Sequence, residues 1–200
     1  MLRNYEKFPE ELINNEHADI DVLCENVDDF ILKLGLEPFY RRDDRIHFAA
    51  LVDGFSIPID LRCPGDGYYC EKWEKNMLLN RVLYKNKIFV MSPSDYFYSL
   101  TYHALIHKQT FSTEYLSRLI SMGKELGIMV DSENELKNRL LDFLKKEGYF
   151  VTNSSDVALR INVNNIPNEY IQIKKSWAVK SFCANLGCGP RRFLRKILHF

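Results

Sequence analysis

Two aspartates one residue apart, Asp19 and Asp21, lie in the stretch Ala18 to Leu23, where apolar and charged residues alternate. That alternation predicts a half-buried strand, and alternate residues of a strand share a face. Both carboxylates then project together, while Ile20 and Val22 face a core. Like charges this close call for a cation or a proton between them. Mg²⁺ suits such oxygens, because it binds through one or two carboxylates and completes its shell with water and phosphate oxygens. A third acid, Asp60, sits in the apolar run Ile57-Pro58-Ile59-Asp60-Leu61, where a solvated acid is not expected. If the two strands are neighbours, the three acids converge and suit two ions in the arrangement of phosphoryl and nucleotidyl transfer. A lone Asp-x-Asp ordinarily marks only a polar strand face; Asp60 tips the balance.

The elements that must position these acids follow from spacing and caps. Asn26 with Asp29 starts a helix through Phe30, Ile31 and Leu34, which Gly35 ends. Ile46 to Val52 and Phe55 to Leu61 flank Asp53-Gly54, a strong hairpin signal. Pro58 assigns the second of these strands to an edge or a bulge. Trp73, Met77 and Leu78 predict a helix after the Gly65-Asp66-Gly67 turn, and Lys87 to Met91 a short strand. Ser92-Pro93-Ser94-Asp95 opens a helix expected to run to about Lys108. Ser112 begins another that ends near Gly127. Ser132 with Glu135 caps a third, with Leu136, Leu140, Leu141 and Leu144 on its apolar face. Val157 to Val163 and Tyr170 to Ile173 read as strands around Asn-Asn-Ile-Pro-Asn. The expected fold class is α+β: a small mixed sheet in residues 1–91, a helical region in 92–148, and a C-terminal β-hairpin and tail in 149–200.

Other side chains could reach the acids. Arg62 shares Asp60's strand face and can meet a phosphate. His103 and His107 stand four apart, but Ala104 replaces the glutamate of a zinc-protease helix, leaving structural or substrate-contact roles. Lys108 closes that helix, as a dipole partner or a phosphate contact. Asp66 reads as a turn residue. The cysteines (Cys24, Cys63, Cys70, Cys183, Cys188) are odd in number and form no Cys-x-x-Cys pair. They signal neither a zinc ribbon nor a disulfide framework.

The order strand with Asp-x-Asp, helix, hairpin, third Asp resembles the minimal core of the nucleotidyltransferase superfamily that includes DNA polymerase β. More narrowly, Leu2-Arg3-Asn4-Tyr5-Glu6 with Pro9, Asp19-Ile20-Asp21-Val22-Leu23, and Asp60-Leu61-Arg62 look like a nucleotidyltransferase-like family encoded among bacterial surface-polysaccharide genes. Gly65-Asp66-Gly67-Tyr68-Tyr69, Trp73 and Tyr102-His103-Ala104-Leu105-Ile106-His107-Lys108 add to that likeness, which covers roughly residues 1 to 165. The resemblance implies Mg²⁺ binding by Asp19, Asp21 and Asp60, with two ions, and Asp60 as base toward an acceptor hydroxyl. It implies an NTP donor and a small hydroxyl or phosphate acceptor such as a sugar, with Arg3, Asn4, Arg62, His103 and Lys108 as substrate contacts. One feature departs from it: the superfamily's Gly-Ser pair is missing, since no glycine precedes Gly35. Arg3-Asn4 offers a cationic fork for phosphate in its place. The departure motivates two alternatives, a non-catalytic domain of this fold that binds a partner protein, and a toxin/antitoxin-type enzyme that modifies protein or RNA.

Charge and composition bound the partners. The chain carries 27 Lys+Arg and 27 Asp+Glu, which argues against a dedicated duplex-DNA binder. The neutrality is a sum of unlike parts, because residues 171–200 carry seven basic residues and no acid, leaving a net −7 in residues 1–170. Arg191, Arg192, Arg195 and Lys196 interleave with Phe193, Leu194, Ile197 and Leu198. As a helix this stretch suits docking on this or a partner domain, or an anionic membrane surface. The first residues lack the apolar run of a secretory signal, and a reducing cytoplasmic setting is expected.

Overall fold

Four strands build the sheet that carries the acids: β1 (Ile20–Leu23), β2 (Glu37–Tyr40), β3 (Ile46–Val52) and β4 (Phe55–Arg62). The computed structural model describes residues 1–7, 19–40, 46–152, 159 and 161–172. The strand order is β1-β4-β3-β2, with β1 parallel to β4 and the other pairs antiparallel. The turn between β3 and β4 places Asp53 at φ 50 and Gly54 at φ 82, the left-handed pair of a tight hairpin turn. Helix α1 (Val27–Leu34) crosses from β1 to β2. Asn26 caps it by accepting the Asp29 N–H, and Gly35 ends it in the left-handed conformation. It packs Val27, Phe30 and Ile31 on Ile59, Leu61 and Leu36, with Ile20 and Val22 beneath. One face of β1 and β4 is therefore apolar, as the alternation predicts.

The opposite face meets a helical layer. Helices α2 (Glu71–Leu79), α3 (Pro93–Tyr102), α4 (Thr113–Leu126) and α5 (Glu133–Glu147) join the larger core, with the ribbon β5 (Val82–Tyr84) and β6 (Ile88–Val90) beside them. That core extends from Leu2 to Ile166, so the segments expected as separate regions share one apolar interior. Trp73 is its fully buried centre: it stacks on Tyr149 and donates its indole N–H to Asp95 at 2.9 Å. Asp95 also receives the hydroxyl of Ser92, whose oxygen in turn caps the Asp95 N–H. Ser92→Ala removes the cap and one Asp95 partner, and equilibrium denaturation is expected to show a loss of about 1–2 kcal/mol. No described helix is long and apolar enough to cross a membrane.

Several expectations are corrected. Strand β4 is interior rather than an edge; Pro58 pairs with Ala49 of β3, and the β1 ladder begins only at Ile59. The missing N–H thus falls where that side of β4 is still open. Asp19 precedes β1 and is exposed. The helix expected to reach Lys108 changes after Tyr102 into a π-helical turn, His103–His107. The expected C-terminal hairpin does not form in its described part: residues 163–165 are a 3₁₀ turn, and β8 (Ile171–Gln172) pairs in parallel with β7 (Val151–Thr152). The cause is competition for hydrogen bonds. Asn162 N–H donates to the Ile106 carbonyl and the Asn165 amide to the Leu105 carbonyl, so this segment is bound to the π-helical turn. The basic tail, Cys183 and Cys188 lie outside the described residues.

Candidate functional site

The parallel pairing of β1 and β4 sets Asp21 directly beside Asp60. Because neighbours in register share a face, the two carboxylates and the next pair, Leu23 and Arg62, look toward the helical layer. Both acids are largely sequestered, at 10% and 13% side-chain exposure. Each is compensated from within the chain. Arg3 grips Asp21 with a two-pronged bond, Nε to Oδ2 at 3.0 Å and Nη2 to Oδ1. Arg62 donates from Nη2 to Asp60 Oδ2 at 3.1 Å and lies 3.9 Å from Asp66. A guanidinium group thus lies against each carboxylate.

Arg3 reaches this place because the Leu2 N–H donates to the Asp21 carbonyl, laying the first residues along β1. Its Nη1 continues into the helical layer, donating to the Tyr68 hydroxyl at 2.8 Å and to His103 Nδ1 at 2.6 Å. A guanidinium can only donate, so His103 Nδ1 is unprotonated and its ring is neutral. Burial drives His103 far below the usual imidazole range, and Arg3, His107, Lys108 and Arg62 push the same way. Burial, then Arg3 and Arg62, likewise hold His107 neutral. Its Nε2 donates to the Tyr68 carbonyl at 3.0 Å.

Tyr68 joins these groups and is the residue that spacing alone did not single out. Its hydroxyl meets Arg3 and His103, its ring lies 4.1 Å under the Arg62 guanidinium, and its N–H donates to Asp66. Cation–π contact in so buried a place is worth about 2 kcal/mol. The loop carrying Tyr68 is shaped by Glu74, which is fully buried and accepts the N–H groups of Gly65 and Tyr69. Burial and the nearby Asp66 push the Glu74 carboxyl up to about 8. Asp66 thus does more than turn the chain, since it accepts Tyr68's N–H and faces both Arg62 and Glu74.

The candidate residues therefore divide. Asp21, Asp60, Arg3, Arg62 and His103 meet within one buried network. Asp19 is exposed at its border, and among the described residues no three His, Cys, Asp or Glu side chains gather as a metal site. Asn4 turns away: its side-chain oxygen accepts from Arg118 at 2.9 Å. Lys108 is exposed just past the π-helical turn, close enough for its field to bear on both histidines. Paired, hard carboxylate oxygens at Asp21 and Asp60 fit the donor chemistry of Mg²⁺, and the flanking arginines fit phosphate. Set against known proteins, the chain matches no family model, no curated protein and no solved structure.

Proposed function

We propose that this chain is a Mg²⁺-dependent nucleotidyltransferase that moves an NMP group from an NTP to a small hydroxyl or phosphate acceptor. The observation that carries the proposal is the pairing of Asp21 with Asp60, side by side on adjacent parallel strands, each with its own arginine. Mixed-sheet order and the placing of both acids on the face opposite α1 support a nucleotidyltransferase-type core. Asp21 and Asp60, with Asp19 at the border, would hold Mg²⁺, which when bound supplies charge neutralisation at phosphate oxygens.

Arg3 and Arg62 bind the phosphates by exchanging a carboxylate partner for a phosphate one. The exchange is geometrically cheap, because a guanidinium fork matches both groups. Asp60 then orients the acceptor and takes the proton of a hydroxyl acceptor, whose oxygen bonds to the α-phosphorus as the bond to the β-phosphate breaks and pyrophosphate leaves. Neutral His103 and exposed Lys108 line the substrate side, and a sugar is the acceptor class that the family resemblance suggests.

Titration calorimetry of each NTP, with and without Mg²⁺, tests this. One NTP is expected to bind only with Mg²⁺, and Asp60→Asn to weaken it by on the order of tenfold or more. Asp60 is the suitable position, since Arg62 keeps Asp66 and the Tyr68 ring when Asp60 is neutralised. No binding to any NTP sinks the proposal. That outcome favours a partner-binding domain, a reading with one observation behind it: Arg3 and Arg62 already compensate Asp21 and Asp60.

A further inference from the structure

We propose that Arg118, on α4, is a positioning residue that holds Arg3 against Asp21 by gripping the chain just beyond it. The inference rests on the reading of Arg3 as a phosphate-binding group, but its principal test needs no nucleotide. Arg118 Nη1 donates to Asn4 Oδ1 at 2.9 Å, and Nη2 donates to Glu6 Oε2 at 3.3 Å and to the Tyr96 hydroxyl. Tyr96 closes the ring of contacts, accepting the Asn4 N–H at 3.3 Å and donating to Glu6 at 3.1 Å. Asn4 adopts φ 57, a left-handed conformation that asparagine tolerates better than most residues. The chain therefore bends immediately after Arg3, and the bend is fixed from α3 and α4.

Arg3 is held between two anchors. On one side the Leu2 N–H bonds the Asp21 carbonyl; on the other Asn4 and Glu6 are clamped by Arg118 and Tyr96. Three acceptors in different directions match a planar fork with several donors, and a lysine ammonium cannot reach all of them with fixed geometry. One turn earlier on α4, Tyr115 stands near His103, ring centroids 6.0 Å apart. The same helix face thus borders both ends of the Arg3 network. Arg118 and Glu6 are themselves 34% and 41% exposed, so replacing them empties no core and separates positioning from folding.

Nitrogen-15 NMR of the full chain reads this directly through the Arg3 Nε–H signal, assigned by its loss in Arg3→Lys. In Arg118→Ala that signal is expected to shift and to exchange with water at least about tenfold faster, as a pair opened more often does. The Trp73 indole signal and the melting temperature stay close to wild type. Arg118→Lys gives an intermediate exchange rate, and Glu6→Gln moves the Arg3 signal in the same direction should Arg118→Ala fold poorly. An Arg3 signal unchanged in both Arg118→Ala and Glu6→Gln overturns the proposal, as does an equal disturbance at Trp73. If wild-type protein binds no NTP, the nucleotide reading fails and the Arg3 signal still decides the role of Arg118.

Discussion

Asp21→Ala is expected to lower the unfolding free energy by about 3–5 kcal/mol, because it strands a buried arginine. The cost does not measure the strength of the ion pair. Arg3 is only 11% exposed and donates two of its bonds to this one carboxylate. Truncating Asp21 leaves a desolvated cation with the Tyr68 hydroxyl and a neutral imidazole as its remaining described partners. Burial alone opposes the Arg3 charge, and the Asp21 carboxylate overrides it, holding the guanidinium charged more firmly than usual. Removing both partners together, as in Arg3→Met with Asp21→Leu, should return most of the loss, because a buried pair replaced by apolar groups of similar size is often near neutral. Urea denaturation of the two variants checks this. A cost below about 1 kcal/mol for Asp21→Ala would mean that the pair behaves like a solvated surface bridge. Asp60→Asn is the milder change, since Arg62 retains Asp66 and Tyr68. This asymmetry makes Asp21 the position for stability and Asp60 the position for function.

Local chemistry was readable before the structure; distant compensation was not. The caps at Asn26, Ser92, Ser112 and Ser132 and the Asp53-Gly54 turn act within four residues, so each of these helices starts, and the hairpin turns, where spacing places it. The alternation around Asp21 foretold the apolar face that meets α1. Strand β2 escaped notice because Pro38 interrupts it and no alternation marks it; as an edge strand it tolerates that proline. The partner of the acids was the larger omission. Carboxylates in register demand a cation, but nothing near Asp21 says whether that cation is a metal ion or an arginine. An arginine does lie against Asp21, but it comes from 18 residues earlier, and Arg3 in turn meets Tyr68, 65 residues beyond it. Glu74 was equally hidden: one turn of a polar helix start looks solvated until the Gly65–Tyr69 loop folds over it.

Glu74→Gln should gain stability relative to wild type as pH rises, and the sign follows from which state holds the proton. In the folded chain the Glu74 carboxyl is raised from an ordinary 4.5 to about 8, first by burial and then by Asp66, against the two N–H groups that favour its charged form. Between those values the folded state keeps a proton that the unfolded state has released. Its contribution is therefore complete below the unfolded value and is lost as pH climbs toward 8, at about 1.4 kcal/mol per pH unit for one proton. Glutamine carries no such dependence, but its amide nitrogen takes the place of one of the two oxygens that accept the Gly65 and Tyr69 N–H groups. The variant should be less stable than wild type near pH 5, by about 1–3 kcal/mol for the loop N–H it leaves unpaired, and should gain on wild type by a few kcal/mol between pH 5 and pH 8. Other groups titrate in the same range. His103 and His107, held neutral in the fold by burial and by their cationic neighbours, destabilise it as pH falls through their ordinary range. The difference between variant and wild type at each pH cancels them, so thermal melts of both proteins from pH 5 to 8 give the readout. Parallel melting curves would show that Glu74 is ionised throughout. The Gly65–Tyr69 loop would then rest on a buried carboxylate, and Tyr68 would hold Arg3 and Arg62 in a site one negative charge richer.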